Sequence, residues 1–170
     1  MYQTGEFIVY GTSGVCRVQA VGAPPFETGE ERPYYTLVPV SGTETIYVPV
    51  DSPVFTRPVI SRAQAEELIH AIPAIEEDHF TSHSLRMSSE HYQEVLQSHD
   101  CRRLAQMIKA VNAKSRRSGR RISQIDQRYR KRAEDLLHGE LAVALGIPVD
   151  EVQPYIARTI AQHQKKSATV

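Results

Sequence analysis

Along this chain the apolar positions change period once, and that change divides the molecule. Phe7-Ile8-Val9-Tyr10 is a short apolar run closed by Gly11-Thr12-Ser13-Gly14, a turn with glycine at both ends. From Val15 to Val21, Cys16, Val18 and Ala20 alternate with Val15, Arg17 and Gln19, the period of a half-buried strand. Gly22 to Pro33, rich in Gly, Pro and Glu, reads as a loop. Tyr34–Val40 and Thr45–Val50 are β-rich runs on either side of Ser41-Gly42-Thr43 and predict a hairpin. Pro39 and Pro49 carry no amide donor, so they suit edges or bulges. Short strands crowded into the first 60 residues predict a small, strongly bent barrel.

After Pro58 the period becomes helical. Ser61 is a cap for a helix carrying Ala65, Leu68, Ile69 and Ile72, which Pro73 breaks. Residues 74–89, acidic and then rich in Ser, Thr and His, read as a connecting loop. Tyr92, Val95 and Leu96 begin a second helix that stops near Ser98-His99-Asp100, and Leu104, Met107, Ile108 and Val111 mark a third. Ile122, Ile125, Tyr129, Ala133, Leu136, Leu137, Leu141, Ala144 and Leu145 step by threes and fours, the clearest helix of the chain. Gly146 stops it, Pro148 opens a last helix carried by Val152, Tyr155, Ile156 and Ile160, and the tail after His163 is expected to fray. The domain boundary falls near Asp51–Ser61.

Composition narrows the class. Among 170 residues, apolar types make up 41% and charged types 24%, an ordinary globular mixture. No apolar run approaches the roughly 20 residues that span a bilayer. The opening Met1–Glu6 has neither a basic region nor an apolar core of a leader. The expectation is a cytoplasmic protein, monomeric in the simplest case, with Cys16 and Cys101 as reduced thiols rather than a disulfide framework.

Net charge is zero, yet the charges are segregated. Residues 1–60 hold three basic and six acidic side chains, residues 61–113 five and eight, and residues 114–170 twelve and six. Lys114, Arg116, Arg117, Arg120, Arg121, Arg128, Arg130, Lys131 and Arg132 stand against one acid, Asp126, around a Ser118-Gly119 turn. Arginines dominate this stretch and form bidentate phosphate contacts, so it is a nucleic-acid candidate; the plainer reading is a solvated helical face. His79 and His83 lie four apart but lack the intervening base of a zinc-protease helix, and Gly11-Thr12-Ser13-Gly14 lacks the lysine and length of a phosphate loop. Cys101 follows His99-Asp100, but adjacency in sequence does not make a catalytic pair. No motif calls for an enzyme, a metal or a cofactor.

Tyr10-Gly11-Thr12-Ser13-Gly14-Val15-Cys16 resembles the opening hairpin of the CarD/CdnL-type regulators. Tyr34–Val40 and Ile46-Tyr47-Val48-Pro49-Val50-Asp51 are similar to that family's next strands. Tyr92–Asp100, the arginine-rich helix pair, Ala133-Glu134-Asp135-Leu136-Leu137 and Glu140–Gly146 continue the resemblance in order. The resemblance implies an α+β chain: a small Tudor/SH3-like β-barrel over residues 1–60, then a compact all-α helical domain over residues 61–170. It implies that the first binds the RNA polymerase β subunit. The second would contact promoter DNA, through the minor groove and phosphates, at the upstream edge of the melted region. Such a nucleoid-associated regulator stabilises the open complex; the alternative is a polymerase-bound adaptor with little DNA contact.

Strand addition would place the polymerase contact on Thr45, Ile46, Tyr47 and Val48, with Tyr35 and Leu37 beside them. Lys114, Arg116, Arg117, Arg120, Arg121 and Arg128 are the expected phosphate contacts. Members of the family place a tryptophan wedge before the second helix of the helical domain, and this chain has no tryptophan. Phe80 and Leu85, the latter next to Arg86, are the replacements on offer. Phe80 is expected to be the wedge, since its loop offers no apolar partner at helical spacing, and Leu85 is expected to pack.

Overall fold

The computed structural model describes residues 1–119 and 121–168. The chain divides into two units, Met1–Val59 and Ile60–Val170. In the first, five strands form one antiparallel sheet: β1 (Phe7–Tyr10), β2 (Gly14–Gly22), β3 (Tyr34–Pro39), β4 (Ile46–Pro49) and β5 (Thr56–Pro58). Their order is β4-β3-β2-β1-β5, with β4 and β5 at the edges. No pairing joins those two edges among the described residues, so the sheet is the bent, five-stranded one expected, without closure into a barrel being seen. Gly14, at φ +79°, makes the β1–β2 turn in a conformation that disfavours residues with a Cβ. A register shift between Val18 and Ala20 bends β2. Ile8, Cys16, Val18, Tyr35, Leu37 and Val48 form the core on one face.

The second unit holds α1 (Arg62–Ala71), α2 (Leu85–Gln97), α3 (Cys101–Ser118), α4 (Gln124–Leu145) and α5 (Val149–Ala168). Each of the first four helices is capped by the side chain before it. Ser61 and Gln64 make a reciprocal capping box, and Ser84, Asp100 and Ser123 accept first-turn amides. Ile69, Val95, Leu104, Met107, Leu137, Leu141 and Val152 are central to a single core. After α1 the chain makes a short turn at Ile72–Ala74, where the Lys109 ammonium donates to the carbonyls of Ile72, Pro73 and Ile75 at 2.7–3.1 Å. These bonds cap the turn, adding a second donor at the Ile72 carbonyl, which also accepts from the Ile75 amide.

Two helix ends differ from the periodic reading. The second helix begins at Leu85, inside the stretch read as a loop, because the Ser84 cap and the Arg86–Glu90 pair support a turn that buries little. The last helix continues to Ala168 instead of ending near His163. Lys165 and Lys166 in its last turn complement the helix dipole there.

Candidate docking edge and basic surface

The alternation of an antiparallel ladder determines what the β4 edge offers. Val50 N–H donates to the Pro33 carbonyl at 3.1 Å, and Val48 and Ile46 pair with Tyr35 and Leu37 at every second step inward. Those are the bonded positions, so Tyr47 and Pro49 turn their main-chain groups outward. Tyr47 thereby presents both an N–H and a C=O, and Pro49 a C=O alone. The donor that proline lacks falls on the free side, where it costs the ladder nothing.

Side chains on this edge alternate too. Tyr35, Leu37 and Val48 point into the core and are buried, Ile46 is partly buried against the same core, and Thr45 and Tyr47 are the named candidates that are exposed. Sequence reasoning missed the aromatic neighbours of Tyr47. Phe26 meets the Tyr47 ring edge-on, with centroids 5.4 Å apart, and the Tyr34 ring at 6.0 Å. The signal was present: Phe26 is the lone aromatic of a loop otherwise built from Gly, Pro, Glu and small residues.

On the helical unit the basic stretch is less free than its composition suggests. The Lys114 ammonium lies 2.9 Å from the carboxylate of Asp126, which is 2% exposed. Asp126 also accepts from the Tyr92 hydroxyl at 2.6 Å, and its own amide donates to Ser123 Oγ at 3.1 Å. Burial raises the Asp126 pKa, but the bonds from Tyr92, Lys114 and Ser123 and the Lys114 charge outweigh it and hold the group below the usual carboxylate range. Burial and the bond to Asp126 raise that of Tyr92.

Arg117 pairs with Glu77, Arg86 with Glu90 and Lys131 with Asp135. Arg116 and Arg121 are exposed, as is Arg128, whose guanidinium lies 5.4 Å from the Tyr129 ring centre. Arg116 lies in the last turn of α3, Arg121 between the helices and Arg128 in α4, and α3 ends at Gly119, at φ +59°. Arg120 falls outside the described residues.

Leu85 does not pack as expected, and Phe80, 38% exposed, has a stacking partner that the sequence did not announce. Phe80 is not a bare loop tip: its ring stacks on His91, centroids 4.0 Å apart and 10° from parallel. His91 in turn shares a hydrogen bond with Asp78, and the Phe80 amide donates to the same carboxylate. Pattern reading missed this because a stacking partner eleven residues away leaves no helical period. Leu85, expected to pack, is 62% exposed at the first position of α2, with Arg86 beside it and Met87 also exposed. Phe80, Tyr92, Lys114 and Arg117 line one open cavity of about 490 Å³.

The remaining chemistry is quiet. Cys16 is buried, and burial, aided by the Glu44 charge, pushes its thiol up to about 11, far from a nucleophile's range. Cys101 is also buried and donates to Glu140 at 3.1 Å. Among the described residues no cluster of three or more His, Cys, Asp or Glu side chains is arranged to hold a metal ion. No helix described is long and apolar enough to cross a membrane. Residues 2–60 match the family model for the CarD-like/TRCF RID domain. None of the curated proteins matches the chain.

Proposed function

We propose, from the premise that residues 2–60 are a CarD-like/TRCF RID domain, that this chain is a non-enzymatic transcription regulator. The β-unit docks on the RNA polymerase β subunit, and the helical unit contacts promoter DNA at the upstream edge of the bubble. The observation that carries the reading is the open edge of β4, where Tyr47 offers a donor and an acceptor beside an aromatic wall. A strand added there gains main-chain hydrogen bonds, and alternate side chains supply selectivity. Arg116, Arg121 and Arg128 supply the phosphate contacts, and Leu85, the most exposed large apolar side chain described in the helical unit, serves as the wedge. Favouring the melted state over the closed one then raises the open-complex population.

The test is capture of RNA polymerase by the full chain, wild type against Tyr47→Pro. That substitution removes an outward donor while sparing the bonds between β3 and β4, so capture should fall at least about tenfold for one lost edge bond and its crowded neighbour. Failure of the wild-type chain to capture polymerase refutes the reading. A second reading, the polymerase-bound adaptor, is favoured by the pairing of Lys114 with Asp126 and Arg117 with Glu77, which removes two cations from the DNA grip. Footprinting of a promoter complex separates the two: protection at the upstream fork belongs to the regulator, its absence to the adaptor.

A further inference from the structure

Most acidic residues of the β-unit lie in the segments next to β4 in sequence or in the loop that reaches Tyr47. Glu44 precedes the strand, Asp51 follows it, and Glu27, Glu30 and Glu31 lie in the loop that lays Phe26 against Tyr47. These are five of the six acidic side chains among residues 1–60. Arg32 bridges Glu30 at 2.9 Å and Asp51 at 3.6 Å, which ties that loop to the end of β4. Glu27, Glu31 and Glu44 are exposed and have no ion pair among the described residues. The segments that flank the open edge in sequence therefore carry excess negative charge, with the Glu44 carboxylate lying back beside Gly42.

Its outer face is aromatic. Phe26 stands edge-on to both Tyr34 and Tyr47, and Phe26 and Tyr47 are 47% and 39% exposed. The faces of such rings carry negative potential and attract cations. The chain already uses this: the Arg32 guanidinium lies 5.9 Å from the Tyr34 ring centre. The flanking acids and the wall thus favour the same chemistry.

We propose that the β4 edge selects a basic strand. The segment it accepts alternates Lys or Arg with β-branched residues. The cations lie over the Phe26–Tyr34–Tyr47 wall and among Glu27, Glu31 and Glu44, and the apolar residues face the Ile46 and Val48 side. This rests on the docking role given to β4 above and adds the sequence character of the bound segment. The same charge argues against a second copy of this chain as occupant, because edge-to-edge pairing would bring two sets of acidic flanking segments together.

The experiment titrates the isotope-labelled full chain with two short synthetic peptides, one alternating Lys with Val and one alternating Glu with Val, following the Tyr47 and Thr36 amides. The Lys peptide should bind about tenfold more tightly, the sum of three exposed ion pairs, and the gap should close at high salt. Glu27→Gln, Glu31→Gln and Glu44→Gln together should remove most of the preference, and Phe26→Ala should weaken the Lys peptide without changing the sheet amides distant from β4. Equal affinity for the two peptides, or no response at Tyr47 to either, overturns the proposal. So does a dimer in sedimentation whose formation shifts Tyr47, since the edge would then belong to a second copy. Polymerase capture without a Lys preference leaves the docking role standing and this inference refuted; a Lys preference without polymerase capture does the reverse.

Discussion

Replacing Asp126 by alanine isolates the network that shapes the basic turn. In the wild type this carboxylate, 2% exposed, joins three helices: Tyr92 of α2 donates to it at 2.6 Å, Lys114 of α3 at 2.9 Å, and it belongs to α4. Removing it leaves a half-buried tyrosine hydroxyl unsatisfied, at about 1–3 kcal/mol. Lys114 is 57% exposed and turns to water, so its ion pair adds at most about 1 kcal/mol. The expected loss is about 3 kcal/mol. With an unfolding entropy of about 2.1 cal/mol/K per residue over the helical unit, the melting temperature of that unit falls by roughly 13 °C.

Calorimetry measures the shift, and a double-mutant cycle with Tyr92→Phe assigns it. The two substitutions should be less than additive, by about 1 kcal/mol or more, because the double variant has no stranded hydroxyl. Acid gives an independent check. A folded pKa held below the unfolded value means stability that is fully present above an unfolded pKa of about 3.9 and lost as pH falls through the folded value. Asp126→Asn should therefore flatten the stability profile below about pH 4. Additive single effects, or an unchanged acid limb, would refute this account of the network.

Leu85→Ala should leave the melting temperature within about 1–2 °C, since a side chain 62% exposed loses little burial, while shortening open-complex lifetime. Phe80→Ala, by removing the ring stacked on His91, should cost about 1 kcal/mol of stability in chemical denaturation. In DNA binding measured across salt concentrations, Arg116→Ala and Arg121→Ala should each reduce the logarithmic slope by roughly 0.9, and Lys114→Ala by less, because its charge already faces Asp126. Gly146→Ala should destabilise the α4–α5 junction by about 1–2 kcal/mol through its φ of +68° alone, with no atom within 4 Å of the added methyl; thermal unfolding reads it.

Local rules carried much of this molecule. The apolar runs at Val15, Tyr34 and Ile46 mark their strands, but the register shift after Val18 breaks the expected alternation, leaving Ala20 exposed and turning Val21 to the core. Ser61, Gly146 and the apolar positions from Ile125 to Leu145 place α4 and its neighbours, caps and stripes being properties of adjacent residues, while Ile122 falls just before the Ser123 cap. Pro49, read as suiting an edge or a bulge, lies on the edge strand β4, whereas Pro39, read the same way, ends the inner strand β3.

Where that edge faces, and what covers it, depends on contacts between residues distant in sequence. Phe26 reaches Tyr47 across a loop, and only the register opposite Tyr34–Leu37 decides that Tyr47, not Val48, turns its amide outward. The β5 strand has no apolar run of its own and exists because β1 supplies its partner. On the helical unit, composition located the cations but not their carboxylates: Glu77 and Asp126 are brought to Arg117 and Lys114 by packing, which leaves a charge run only partly free to meet phosphate. The same limit hid the partner of Phe80 and the exposure of Leu85. A ring finds a stacking partner through tertiary structure, while a leucine at the first turn of a capped helix has nothing above it to pack against, and neither fact has a period along the chain.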